Sequence, residues 1–223
     1  MRAGDLPVVL GGDCSIQLGA SLALRRIGRF GLAADGGTSH ALKAVGEDRP
    51  TSATPATRTG FGAAGGEELA LATGRGQDDL TDLEGLKPYL RDEDVRLFGI
   101  RDYDSERDEL AALKIQTVTV GELREWGAEA IARATVQTLE LPHLEGFWAR
   151  LDAGCLDPSV MPAVDSPDPD GLLPDELLAL LSPLVRSPHG VGLNITIYDP
   201  DLDPEGTAGE LLADLVVAAL TES

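Results

Sequence analysis

Two short stretches of this chain end apolar runs in side chains able to bind a metal or carry a proton. LDAGCLDPSVMPAVD at 151–165 places Asp152, Cys155 and Asp157 close together, and VVLGGDCS at 8–15 places Asp13 and Cys14 directly behind two glycines. A third run ends in Asp35, followed by Gly36, Gly37, Thr38, Ser39 and His40. An apolar run that stops abruptly in acidic, small and thiol residues is how a buried parallel strand looks when it delivers polar groups to the carboxyl edge of a sheet. Carboxylates suit hard divalent ions, and a thiol suits zinc or iron.

The elements that would hold these groups alternate short β-like runs with helix-like stretches, the pattern of parallel βα units. Strands are expected over 7–10, 30–34, 97–100, 115–118, 147–152 and 191–197, and helices over 15–27 (stopped by Gly28), 67–72, 105–113, 122–139, 175–181 and 207–220. Leu177, Leu178 and Leu181 form an apolar stripe ahead of Pro183, and Pro174 suits the first turn of that helix. Residues 41–66, rich in Thr, Ala, Gly and Pro and without periodicity, read as a long loop near the site, and DSPDPDG at 165–171 as a second. One domain over 1–223 is the expectation for a chain of this length with 43% hydrophobic residues.

In order, spacing and flanks these segments resemble the arginase or ureohydrolase superfamily, ending in the similar TIYDPDLDPEG at 196–206. Members carry a Gly-Gly-Asp-His-Ser turn, an Asp-x-His-x-Asp turn and an Asp-x-Asp-x-x-Asp-Pro turn around two manganese ions. The resemblance implies a three-layer αβα sandwich on a mainly parallel sheet, with Asp35 and Asp152 at positions that bridge the two ions. It also exposes departures. Cys14 stands where the first turn has His, Gly37 and Ser39 where the second has His and Asp, and Gly154 where the third has its second Asp. Of six ligand positions, two keep an oxygen donor and one becomes a thiol.

Two-metal hydrolysis needs about five or six ligands per ion, so two readings follow. In the first, the chain is a pseudoenzyme or non-catalytic binder that kept the fold. In the second, a rearranged or single-metal site of Asp35, Asp152, Cys14 and His40 hydrolyses a C–N bond of a small guanidino or amidino compound, with Asp13 and Asp157 in support. Manganese is then the expected cofactor, or zinc or iron at Cys14. Restoring Cys14→His, Gly37→His, Ser39→Asp and Gly154→Asp together is expected to raise manganese affinity.

Cys14 admits two further readings, a thiol activated by the helix beginning behind it or a small buried residue. Cys155 follows a strand end on the same edge, so a redox disulfide is conceivable on sequence alone. Glu67 and Glu68 are placed to meet a cationic guanidinium or merely to favour a helix start. Asp199 is a weaker site candidate, and His143 and His189 fall in loops at the far end of the sheet. Relatives of this type have several tens of residues ahead of the first glycine pair. Val8, Val9 and Leu10 are therefore expected on an uncovered sheet edge, to be closed by oligomerisation unless the gene model is truncated.

A formal charge of −20 argues against nucleic acid and anionic membrane surfaces as partners. No apolar run approaches the roughly 20 residues of a membrane span. With two cysteines and no signal peptide, a cytoplasmic location is expected.

Overall fold

The computed structural model describes residues 5–35, 67–104 and 106–221. Its strands are β1 (Val8–Leu10), β2 (Gly31–Asp35), β3 (Val95–Ile100), β4 (Gln116–Thr119), β5 (Phe147–Asp152) and β6 (Gly190–Thr196). The helices are α1 (Ile16–Arg25), α2 (Glu68–Ala72), α3 (Asp78–Thr81), α4 (Arg107–Ala112), α5 (Val120–Trp126), α6 (Ala128–Leu139), α7 (Pro174–Arg186) and α8 (Thr207–Leu220). The strands form one parallel sheet in the order β1-β6-β5-β2-β3-β4.

Strand alternation sorts the core into two layers. Ala33, Phe98, Phe147, Ala149, Leu151, Leu193 and Ile195 pack with the buried faces of α6, α7 and α8. Leu32, Ala34, Leu97 and Trp148 pack on the other side with residues of α1, α2 and α4. Helices on both faces of a parallel sheet complete the αβα sandwich expected from the sequence. Leu177, Leu180, Leu181, Leu184 and Val185 of α7 are the clearest example of how it is held, a stripe at three- and four-residue spacing pressed on the sheet.

Two local expectations are corrected. The stretch 122–139 is not one helix: Gly127, at φ 88, separates α5 from α6. α5 begins with a reciprocal cap in which Glu122 N–H donates to Thr119 Oγ1 over 3.1 Å and Thr119 N–H to Glu122 Oε2 over 2.8 Å. Nor does Pro183 end α7, which runs on to Arg186. Burial of Leu184 and Val185 beyond the proline outweighs the roughly 3 kcal/mol that an interior proline costs. Pro174 does occupy the first turn as expected.

β1 lies at the edge of the sheet, paired with β6, and its Val8, Val9 and Leu10 are 43%, 42% and 73% exposed. The uncovered apolar edge is therefore present in the described residues. Among them, no helix is long and apolar enough to cross a membrane. The loop expected over 41–66 lies outside the described residues.

Candidate functional site

β5 and β2 are neighbours at the middle of the sheet, and the chain leaves them in opposite directions, β2 toward β3 and β5 toward β6. The crevice beyond the carboxyl ends of strands at such a switch point is where open α/β sheets bind ligands. Asp35 ends β2 and Asp152 ends β5, so the two carboxylates read from the sequence do meet there. The backbone N–H of Asp152 donates to Asp35 Oδ1 over 2.7 Å, and the N–H of Gly154 donates to Asp152 Oδ1 over 2.8 Å. Cys14, from the turn between β1 and α1, reaches the same place, its Sγ 3.4 Å from Asp152 Oδ2 and 3.9 Å from Thr196 Oγ1.

A cation stands among these groups. Arg150, two residues before Asp152 and on the same face of β5, is buried with its side chain 3% exposed. Its Nη1 donates to Glu68 Oε1 over 2.7 Å, and its Nη2 to Asp152 Oδ2 over 2.9 Å and to Cys14 Sγ over 2.7 Å. Glu68, from the first turn of α2, is as deeply buried. A guanidinium is the cation best suited to such a place, since its planar fork bonds several acceptors at once and it is weakly hydrated for its charge.

Burial and this cation together set the proton affinities. Burial pushes the Asp35 carboxyl up to about 8, against the pull of the Asp152 N–H, and the charge of Asp152 adds to the rise. Burial also raises Asp152 and Glu68, in each case opposed by Arg150. Burial pushes the Cys14 thiol well up, again opposed by Arg150, and raises Cys155, with the Asp35 charge adding to that rise. Burial works against the charge on Arg150, yet the carboxylates of Glu68 and Asp152 outweigh it and hold the guanidinium charged. Of the two readings of Cys14, the small buried residue is the one that fits, because removal from water costs a thiolate more than the neighbouring charge returns.

The remaining residues singled out from the sequence sit elsewhere. Asp13 is exposed and accepts the N–H of Ser15 over 2.8 Å, and Asp157 accepts the N–H and hydroxyl of Ser159 over 2.9 and 2.6 Å. Both close local turns, and neither bonds Cys14, Asp35 or Asp152 among the described residues. Asp199 likewise caps a turn, accepting the N–H of Asp201 over 2.9 Å. His143 is half-exposed and 3.9 Å from Asp94, and His189 is exposed at the turn into β6. His40, with Gly36, Gly37, Thr38 and Ser39, lies outside the described residues. Cys14 and Cys155 are both buried and free.

Among the described residues, no group of three or more His, Cys, Asp or Glu is arranged to hold a metal ion. The donor chemistry gives the reason. Cys14 and Asp152 already bond the Arg150 guanidinium, so a divalent ion brought to their free electron pairs would meet a fixed positive charge at contact distance. Hard ions such as manganese also require more oxygen donors than Asp35 and Asp152 supply. The described part of this donor set fits one monovalent organic cation and does not fit a manganese pair. The fourfold restoration suggested by the sequence leaves Arg150 in place, and two of its positions, Gly37 and Ser39, lie outside the described residues.

Arg150 and the partnership with Glu68 were missed in reading the sequence. The signal was present in FWARLD at 147–152, where an arginine interrupts a strand that is otherwise apolar up to its terminal Asp. An arginine buried in a central strand requires a counter-charge. Glu68 does meet a guanidinium, but it is the chain's own and not that of a substrate.

A model of the arginase family matches residues 1–221. The chain is 33% identical over 177 residues to an arginase of Brevibacillus brevis, covering 75% of this chain and 52% of that protein. It is 26% identical over 217 residues to an arginase of Staphylococcus aureus, covering 94% of this chain and 66% of that protein. Among solved structures, the arginase of Bacillus cereus superposes with a TM-score of 0.81 at 25% identity, over 99% of this chain and 72% of that one. The chain thus spans about half to two thirds of the length of these two curated relatives.

Proposed function

Because the chain belongs to the arginase family, we propose that it is a member that keeps the family's α/β frame without two-manganese chemistry, a non-catalytic protein acting as a binder or partner subunit. The observation that carries this reading is the contact of the Arg150 guanidinium with both Cys14 and Asp152. A site for divalent ions must be negative and open at its centre, and this centre holds a positive charge with almost no solvent access. Cys14, where relatives of this type carry His, belongs to the same change of character: a neutral thiol beside a guanidinium accepts one hydrogen bond and donates another. Two free thiols also accord with a reducing, cytoplasmic setting.

Metal content tests the reading directly. Protein purified without chelator and dialysed against manganese is expected to hold well under one metal ion per chain by elemental mass spectrometry, and to release no urea from linear guanidino compounds. Two manganese ions per chain with urea release would overturn the proposal. One zinc or iron per chain would replace it with the single-metal hydrolase built at Cys14.

A further inference from the structure

The buried cluster around Arg150 has the composition of a cation-binding site and the connectivity of a filled one. Glu68, Asp152 and Cys14 come from three separate parts of the chain, α2, β5 and the turn before α1, and converge on a single guanidinium. Side chains of Glu68 and Asp152 are only 4% and 6% exposed, so water does not share in neutralising them. The fit is incomplete in an informative way: among the described residues, Glu68 Oε2 and Arg150 Nε are buried without a hydrogen-bond partner. The strand fixes the direction from which Arg150 enters, which leaves one acceptor of Glu68 and one donor of the guanidinium unable to meet.

We propose that Arg150 is a resident cation, the chain's own guanidinium filling a binding site for a small planar cation that is formed by Glu68, Asp152 and Cys14. While Arg150 is present the site admits nothing else. Without it, a polar cavity lined by two acids and a thiol remains, roomy enough for an ion that turns freely to satisfy both oxygens of Glu68. The site's ligand class is therefore the guanidinium ion, held by charge and planar hydrogen bonding. This inference rests on the non-catalytic reading, but the two fail separately, since that reading is decided by the metal content of the unaltered protein.

The test is chemical rescue of Arg150→Ala, read by thermal melting of the full chain. The substitution is expected to lower Tm by roughly 10 °C, because it leaves buried acids without their counter-charge. Guanidinium chloride at about 20 mM should then raise the variant's Tm by roughly 5 °C, the gain for a site of about millimolar affinity. Sodium chloride at the same concentration should not, and the unaltered protein should gain nothing from guanidinium. A variant as stable as the parent, or one that responds equally to both salts, overturns the proposal. Should Arg150→Ala give no folded protein, Arg150→Met is compared with Arg150→Met/Glu68→Gln. The proposal requires the double variant to be the more stable, since it removes an acid together with its cation, and a double variant no better than the single one overturns it.

Discussion

Arg101 and Arg150 are both buried near the carboxyl ends of the two strands that flank β2, yet they are held by opposite kinds of partner. Arg101, just beyond β3, donates to the carbonyls of Gly99, Cys155, Gly154, Asp168 and Pro169 at 2.8 to 3.4 Å, with the Asp168 carboxylate 3.7 Å away at its solvent side. It ties the turn after β5 to the loop at 165–171 and works as a fastener between neutral dipoles. Arg150 bonds Glu68, Asp152 and Cys14, and it balances charge. The same side chain fixes backbone in one place and in the other fills a centre that would otherwise be strongly negative. What a buried arginine does is decided by its acceptors.

The largest effect expected from breaking this comparison belongs to the charged side. Arg150→Met should cost about 3–5 kcal/mol in denaturant unfolding, the cost of leaving a buried ion pair with one partner. Next in size is the pH response of Asp35. Its folded-state value of about 8 lies above the ordinary 3.8, so its contribution to stability is complete below 3.8 and is lost as pH rises through 8. Relative to Asp35→Asn, the unaltered protein should lose several kcal/mol across that window and run parallel above it, measured by melts at fixed ionic strength. A constant difference at all pH values would mean that Asp35 is ionised beside Asp152.

Arg101→Met should cost less, about 2 kcal/mol, because each freed carbonyl loses a hydrogen bond but no full charge is stranded. Its signature is local. Amide exchange should quicken at Asp157 and Leu172, whose N–H groups bond Leu172 O and Cys155 O at 2.9 and 2.8 Å within the fastened loops, while Arg150→Met should affect them no more than the rest of the sheet. The smallest effect is chemical: Cys14 and Cys155 in native protein should react with a thiol reagent at pH 8 far more slowly than in denaturant, because burial keeps both protonated. Rapid labelling of Cys14 alone would revive its reading as an activated thiol.

Much of the frame was legible. All six strands stood out as short β-like runs, and the polar residues that follow or end three of them, Cys14, Asp35 and Asp152, meet at one edge. The apolar edge at Val8, Val9 and Leu10 was expected too, from the strand order that the family resemblance implies. Asp13 and Asp157 misled because an Asp two residues before a Ser closes a local turn as readily as it supports a ligand. The continuation past Pro183 was hidden because packing of a whole helix face outweighs the roughly 3 kcal/mol a proline costs, whereas the break at Gly127 obeys the local preference of a positive-φ glycine and is masked only by the helix-like residues on either side.

Which strand ends carry chemistry follows from the order of residues alone, because the change from apolar to acidic residues is local and strand geometry sends it to one edge. Which groups neutralise one another was settled in three dimensions. Glu68 lies 82 residues and Cys14 136 residues from Arg150, and the strand order that closes these distances leaves no mark in any one segment. Whether a cluster of acids is a site for ions from solution or is already satisfied depends on the cation that arrives there. Here it is an arginine from the same strand as Asp152, held because a charge removed from water must find its counter-charge within the fold.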